Sequence, residues 1–190
     1  MTAYLLAGPA EEPVSLDETR AYLKLGDDTE DGLLATLVTA ARLHIEGTTG
    51  HALLAQSWRL VLDAWPASGD VQLPVTPAAS LEAVNAYGED GEPSEIELSQ
   101  FALDAPMGTL ILPPEIAGMP TLRRRQGIEI DYIAGFGSSG ADVAADLRHA
   151  VLGLVGYWFE NRGAVLIAGS GAAVPAGFDR LIARYRRARL

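Results

Sequence analysis

The spacing of apolar residues changes twice along this chain. Up to about residue 54, and again from about residue 142, apolar side chains recur at intervals of three and four, the period of a helix with one buried face. Between residues 55 and 134 they alternate with polar ones in short runs, which is typical of strands. The pattern predicts an α+β fold: a core of about four helices, with a small antiparallel β domain inserted between the second and third helices.

Two helices are predicted in the N-terminal helical part, residues 1–54. Ser15-Leu-Asp-Glu18 is a capping-box pattern, and it predicts a helix that runs to about Leu25. The acidic run Asp27–Asp31 favours a second helix start, because carboxylates stabilise the positive end of the helix dipole. This second helix is expected to end at Gly50. Its apolar stripe comprises Leu34, Leu37, Val38, Ala41 and Ile45.

Short strands are predicted in the inserted β domain, residues 55–134. Ten of the 11 prolines precede residue 121, so this part of the chain is cut into short pieces. The alternating or apolar runs are Trp58–Asp63, Leu81–Tyr87, Ile96–Leu98 continued by Phe101 and Leu103, Leu110–Leu112, and Ile128–Tyr132.

The last part of the chain is expected to return to helices. Residues 135–163 hold a glycine-rich hinge and the third core helix, which is predicted to begin at Asp142 and to run to about Arg162. Residues 164–177 are mostly Ala, Gly and Val, and are interpreted as a flexible linker. Residues 178–190 form a fourth helix. One face of it carries Phe178, Leu181, Ile182 and Tyr185, and the opposite face carries Arg180, Arg184 and Arg187.

Composition and charge exclude several classes of protein. There is no cysteine, so disulfides, thiolate zinc sites and cysteine nucleophiles are excluded. No apolar run approaches the roughly 20 residues of a membrane span, so no membrane association is predicted. The net charge is −11, yet Asp179–Leu190 holds five arginines and one acid, which leaves −15 on the rest. An acidic body does not bind DNA by counterion release, whereas the basic end could bind an acidic partner.

No motif indicates catalysis, a metal or a cofactor. Asp27, Thr29 and Asp31 begin like a calcium loop, but Val38 stands where the bidentate glutamate is needed. Ser170 lies between glycines without the pattern of a nucleophile elbow. The three histidines form no zinc motif, and the pair Glu129 and Asp131 is interpreted as a solvated sheet face. No cofactor is expected.

Two groups of residues are candidates for contacts between subunits. Arg123, Arg124 and Arg125 form a basic cluster in an acidic body, where pairing with acids of a neighbouring copy is the favoured interpretation. Trp158-Phe-Glu-Asn-Arg162 combines aromatic and charged residues at a helix end. Core packing explains it more simply, and a subunit contact through Trp158, Glu160 and Arg162 is the alternative.

Nine short segments are spread over residues 14–162: Val14–Glu18, Tyr22–Leu25, Asp27-Asp28, Leu37–Gly50, Gln56–Trp58, Leu62–Pro66, Tyr132–Gly135, Leu147–Ala150 and Tyr157–Arg162. Taken in order, they resemble the head-tail connector (adaptor) family of long-tailed phages and gene transfer agents, and the resemblance extends over most of the chain.

The resemblance implies a structural virion protein and not an enzyme. Such adaptors form a ring, expected to be a dodecamer, beneath the portal protein, and join it to stopper or tail completion proteins while DNA passes through the lumen. It implies assembly in the bacterial cytoplasm and residence at the head-tail junction of a virion or phage-like particle. The C-terminal helix is expected to dock on the portal through Phe178, Arg180, Leu181, Arg184, Tyr185 and Arg187.

Two other functions stay open from the residues alone. One is a nucleic-acid-binding regulator that uses the arginine-rich C-terminal helix. The other is a small-ligand or hydrolytic enzyme on an α+β scaffold. The negative charge of the body argues against the first, and the lack of a catalytic motif argues against the second.

Overall fold

The computed structural model describes residues 1–161 and 174–186, and it divides into two compact units. The β unit consists of Met1–Ala10 and Ala55–Phe136, and the helical unit consists of Glu11–Leu54 and the chain from Gly137 onward. Arg162, Arg187 and most of the predicted linker at 164–177 lie outside the described residues. The α+β class predicted from the sequence is confirmed.

Four helices build the described part of the helical unit. The capping box predicted at Ser15 is present and starts α1, and α2 ends at Gly50 in the left-handed conformation that glycine accommodates without strain. Short 3-10 turns lie at Gly140–Asp142 and after the last helix at Ala183–Tyr185. The bounds are α1 Leu16–Leu23, α2 Asp31–Thr49, α3 Ala145–Glu160 and α4 Phe178–Ile182.

The core of the helical unit lies between α2 and α3. The helices bury apolar side chains at the predicted spacing, so each presents one continuous stripe to the other. The buried residues include Leu34, Val38, Ala41 and Ile45 of α2, and Leu147, Val151, Leu154 and Trp158 of α3. Phe178 and Ile182 of α4 are also buried.

Eight strands form two antiparallel sheets in the β unit. The larger sheet has the order β1-β2-β8-β4-β5, and the smaller has the order β3-β7-β6. The bounds are β1 Thr2–Ala7, β2 Gln56–Leu62, β3 Asp70–Gln72, β4 Ala78–Tyr87, β5 Pro93–Glu95, β6 Ala102–Asp104, β7 Thr109–Ile111 and β8 Ile128–Ala134.

The central strand β8 has one buried face and one polar face. Ile128, Ile130 and Tyr132 are buried, while Glu129 and Asp131 point to the other side, because successive side chains of a strand alternate. Ile130 lies opposite Leu60 of β2, and both are fully buried. Val71 and Leu110 of the smaller sheet are buried as well.

Strand β1 corrects the sequence analysis, which assigned all of residues 1–54 to a helical part. Thr2–Ala7 instead pairs with β2, and the paired residues are 50 to 59 positions apart in the chain. The segment has no clear apolar period of its own, so only this long-range pairing makes it a strand. β3 was also not predicted, because its three residues are too few to show an alternating pattern.

Several predicted boundaries were wrong. The second helix begins only at Asp31, the last residue of the acidic run Asp27–Asp31, and the third begins at Ala145 rather than at Asp142. Asp142 instead accepts bonds from Ser139 and closes a 3-10 turn. The alternation at Ile96–Leu98 is not a strand: β5 ends at Glu95 and a 3-10 turn follows at Leu98–Gln100.

The fourth helix is also shorter than predicted. Its α-helical part ends at Ile182 after five residues, and the following 3-10 turn carries the backbone to an extended Arg186. None of the described helices combines the length and hydrophobicity required to span a membrane.

Candidate interaction surfaces

The C-terminal segment, residues 174–186, packs against the chain's own helical unit. The Phe178 ring lies 5.8 Å from the His44 ring, centroid to centroid, and His44 in turn lies 6.0 Å from Trp158. Phe178 is 5% exposed and Ile182 is fully buried. The resemblance implies that Phe178 docks on the portal, whereas the groove that holds Phe178 in this structure belongs to the same chain.

Asp146 of α3 holds the end of this segment. The Tyr185 hydroxyl donates to Asp146 Oδ1 at 2.8 Å, and Arg184 Nη2 lies 2.5 Å from Asp146 Oδ2. Burial and the hydrogen bond to Asp146 raise the pKa of Tyr185, because both disfavour a second negative charge there. The His51 ring meets the Tyr185 ring edge to face at 6.4 Å. Two aromatic contacts and one carboxylate thus fix the segment.

The residues predicted to bind a portal therefore fall into two groups. Phe178 is buried, so a partner reaches its side chain only if the segment leaves its groove, whereas Tyr185 is half-buried and bonded to Asp146. Arg180 is exposed, Leu181 is half-buried, and the Arg184 side chain is 68% exposed although it pairs with Asp146. The neighbouring Arg186 is exposed and pairs with Asp179. These arginines make the segment a basic surface.

Trp158 and Glu160 occupy different environments at the end of α3. Trp158 is 5% exposed and belongs to the core of the helical unit, which agrees with the simpler interpretation of this motif. Its side chain is not on the surface, so burial in this unit argues against Trp158 as a subunit contact. Glu160 is exposed and stays a candidate.

The arginine cluster at 123–125 is divided by a local turn. Arg123 donates from Nε and Nη2 to the Gln126 carbonyl at 2.9 and 2.6 Å, and its guanidinium lies 4.3 Å from the centre of the Tyr87 ring. Arg124 and Arg125 are exposed. Arg123 therefore stabilises its own turn, while the next two arginines present positive charge at the surface of the β unit.

The sequence analysis missed an ionic network on the polar face of the larger sheet. Arg59 donates in a bidentate manner to Asp131, with both distances 2.7 Å, and Arg59 Nη1 lies 2.9 Å from Glu129. The Tyr87 hydroxyl donates to Glu129 at 2.8 Å. The hydrogen bonds to Asp131 raise the pKa of Arg59, and burial together with Glu129 raises the pKa of Tyr87. The sequence contained a signal for this network, because Arg59, Glu129 and Asp131 occupy the polar positions of runs in which apolar and polar residues alternate.

A second network, also missed, surrounds Arg42 in the helical unit. Arg42 Nε lies 2.8 Å from Glu12 Oε2, and Arg42 Nη1 lies 2.9 Å from Glu46 Oε2. The Thr39 hydroxyl donates to Glu12, and the Leu53 backbone N–H donates to Glu46. Burial lowers the pKa of Arg42, but the bonds to the two glutamates outweigh it and leave the pKa raised. Nothing in the sequence spacing linked Glu12 to Arg42.

The titratable residues that are described form no metal site. No group of three or more His, Asp or Glu side chains converges within residues 1–161 and 174–186. The networks around Arg42 and Arg59 are ion pairs whose members satisfy one another, and their chemistry is structural. The candidate functional features are therefore surfaces that could contact another protein: a basic C-terminal segment, two exposed arginines and a polar sheet face.

Comparison with solved structures finds full-length similarity to components of gene transfer agent particles. A chain from the neck of an empty particle, computed with sixfold symmetry, is 29% identical with a TM-score of 0.81. A chain of the native virion is 29% identical with a TM-score of 0.77, and one from the native neck, computed with twelvefold symmetry, is 26% identical with a TM-score of 0.78. Each match covers 100% of this chain and 97% of the other.

No protein-family model and no curated protein matches the chain. The structural matches confirm the resemblance to head-tail connectors of phage-like particles, because both units align with neck components over their whole length. Two of these neighbours come from necks computed with sixfold and twelvefold symmetry, and the third comes from a virion.

Proposed function

We propose that this protein is the head-tail connector, or adaptor, of a phage-like particle. Copies of it form a ring beneath the portal, and the ring joins the portal to a stopper or tail completion protein. The observation that carries the proposal is the match of the entire chain, β unit and helical unit together, to a neck chain at 29% identity. A neck computed with twelvefold symmetry supports a ring of twelve copies.

Charge is consistent with DNA that passes through the ring without being held. The chain outside Asp179–Leu190 carries a net charge of −15, which repels phosphate and provides few cations to displace counterions. On this proposal the protein is assembled in the bacterial cytoplasm and remains at the head-tail junction of the particle. Its role is structural.

The C-terminal segment is the proposed contact with the portal. Arg180, Arg184 and Leu181 lie at its surface, so they can meet portal carboxylates while Phe178 and Ile182 stay in their groove. Arg187, which lies outside the described residues, is proposed as a further portal contact. Arg124, Arg125 and Glu160 are exposed and are proposed for contacts between neighbouring copies, where arginines can pair with the acidic body.

Co-sedimentation with portal-bearing capsids tests the adaptor role. The wild-type chain is expected to sediment with capsids that carry the portal and to stay in the supernatant with capsids that lack it. If the wild-type chain ignores the portal, the adaptor proposal is wrong.

A charge reversal locates the portal contact in the same assay. Arg180→Glu is expected to weaken portal binding about tenfold or more, because an attractive pair becomes a repulsive one. Lys24→Glu is the matched control: it makes the same change of charge at another exposed site of the helical unit and is expected to bind like wild type. Wild-type binding by Arg180→Glu would place the anchor elsewhere.

A further inference from the structure

Strand β1 has an edge that is free of sheet partners. Thr2–Ala7 pairs with β2 on one side and stands first in the order β1-β2-β8-β4-β5. No strand of the described residues lies on its other side. A strand in this position presents a row of backbone N–H and C=O groups, which is a template for another strand.

The side chains of β1 are apolar and half exposed on both faces. Its sequence, TAYLLA, contains neither a charge nor a proline. Tyr4 lies opposite Arg59 and Leu5 lies opposite Trp58, so consecutive residues face opposite sides of the sheet. Tyr4, Leu5 and Leu6 are 47%, 48% and 48% exposed. A bulge follows Leu5, and it leaves Thr2–Leu5 in regular register with β2.

The other edge of the same sheet is protected in the usual way. β5 has only three residues, begins with Pro93 and ends with Glu95, and it follows a turn that carries Glu89, Asp90 and Glu92. Short length, proline and charge all oppose pairing with another chain. Because one edge has these devices and β1 has none but the bulge at its end, β1 is the edge suited to a partner.

We propose that the outer edge of β1 is an interface between neighbouring copies of this chain, on which an extended segment of the next copy lies. The inference rests on the proposed ring, in which copies meet around an axis as in the sixfold and twelvefold necks. Each copy carries a net charge of −11, so most of their surfaces repel. An uncharged apolar edge lets two such chains approach without another like-charge contact, and backbone bonds supply the affinity.

Charged residues placed on the edge test this interface. Tyr4→Lys and Leu6→Lys are each expected to weaken self-association of the full chain about tenfold or more, measured by sedimentation velocity over a concentration series, because edge lysines oppose strand pairing. Met107→Lys is the matched control. It makes the same change at a side chain of the β unit that is 64% exposed, and it is expected to associate like wild type.

Hydrogen exchange separates a direct contact from misfolding. In wild type, amides of Thr2–Ala7 are expected to gain protection as the protein associates, while circular dichroism of the two β1 variants stays unchanged. Undiminished association of both variants, an equal loss in Met107→Lys, or a wild-type chain that never associates would each overturn the proposal.

The co-sedimentation assay with portal distinguishes failure of the proposed β1 interface from failure of the proposed adaptor role. If β1 variants lose self-association but a single copy still binds portal, both proposals stand. If the wild-type chain associates through β1 but does not bind the portal, the adaptor proposal is wrong and the proposed β1 interface is supported. If the variants associate normally and lose only portal binding, β1 contacts another protein and is not an interface between copies of this chain.

Discussion

Arg42 in the helical unit and Arg59 in the β unit each bind two carboxylates, but their surroundings differ. The Arg42 side chain is 8% exposed, and its partner Glu12 lies 30 residues earlier in the chain. The Arg59 side chain is 31% exposed, and it meets Asp131 across a regular strand pair. Both pairs are charge-assisted and well aligned, so geometry alone does not rank them.

Burial ranks them. Without Arg42, the carboxylate of Glu46, 12% exposed, would stay in the protein without its cation, and the segment before α1 would lose its tie to α2. Asp131 and Glu129 are 16% and 17% exposed, nearly as buried as Glu46, but the Arg59 side chain that joins them is 31% exposed, so water can take the place of the missing guanidinium. Similar ion pairs therefore contribute differently to the stability of the two units.

The largest effect is expected from Arg42→Ala. It should lower the free energy of unfolding of the helical unit by about 3 kcal/mol, because breaking a buried ion pair leaves charge uncompensated. Hydrogen exchange of α2 and α3 amides measures it. Arg42→Lys, which keeps the charge but loses the planar fork, should recover part of the stability. A loss of under about 1 kcal/mol for the alanine variant would contradict the ranking.

A smaller effect is expected from Arg59→Ala. Protection of β2 and β8 amides should fall by about 1–2 kcal/mol, since the bidentate pair is strong but partly hydrated. A double-mutant cycle with Asp131→Ala isolates the coupling between the two side chains. Helical amides should be unaffected. The comparison fails if Arg59→Ala destabilises its unit more than Arg42→Ala destabilises the other.

The smallest effect is expected at Glu18, which extends the comparison to an exposed pair. Glu18 accepts from the Ser15 backbone N–H and pairs with Arg148, and these contacts, the backbone bond first, lower its pKa. A carboxylate with a lowered pKa stabilises the fold above its unfolded pKa of about 4.3, and this contribution disappears as the pH falls through the folded value.

Glu18→Gln removes that contribution. At pH 7 the variant should be less stable by under about 1 kcal/mol, because the side chain is 44% exposed and screened. The stabilities of variant and wild type should converge as the pH falls below the lowered pKa of Glu18 in the folded protein, in urea unfolding repeated across pH. A constant difference down to the lowest pH would show that Glu18 acts through its shape and not through its charge.

The sequence predicted the local features well. The capping box at Ser15, the helix end at Gly50 and the alternation in β8 depend on residues within a few positions of one another, and each is present. These signals arise from backbone geometry that neighbouring residues determine.

Long-range features were not predictable in this way. β1 becomes a strand through β2, Glu12 meets Arg42, and the C-terminal segment finds its groove between His44 and Asp146. Each depends on which distant segments the fold brings together, and no local period encodes that. The portal-binding residues named from the sequence stay predictions, and the burial of Phe178 changes how a partner could reach them.

The order of the strands also has a consequence for synthesis on the ribosome. β1 leaves the exit tunnel well before its partner β2, which follows only after α1 and α2, and β8 pairs with both β2 and β4. Likewise α2 waits for α3, which begins at Ala145. The β unit therefore closes only after β8, which ends at Ala134, and the helical unit closes only after α3, which ends at Glu160. Both closures come late in synthesis, and loop-closure entropy slows them. Until β2 has emerged, the uncharged β1 is exposed without its partner, so we expect chaperones to bind the nascent chain at this segment.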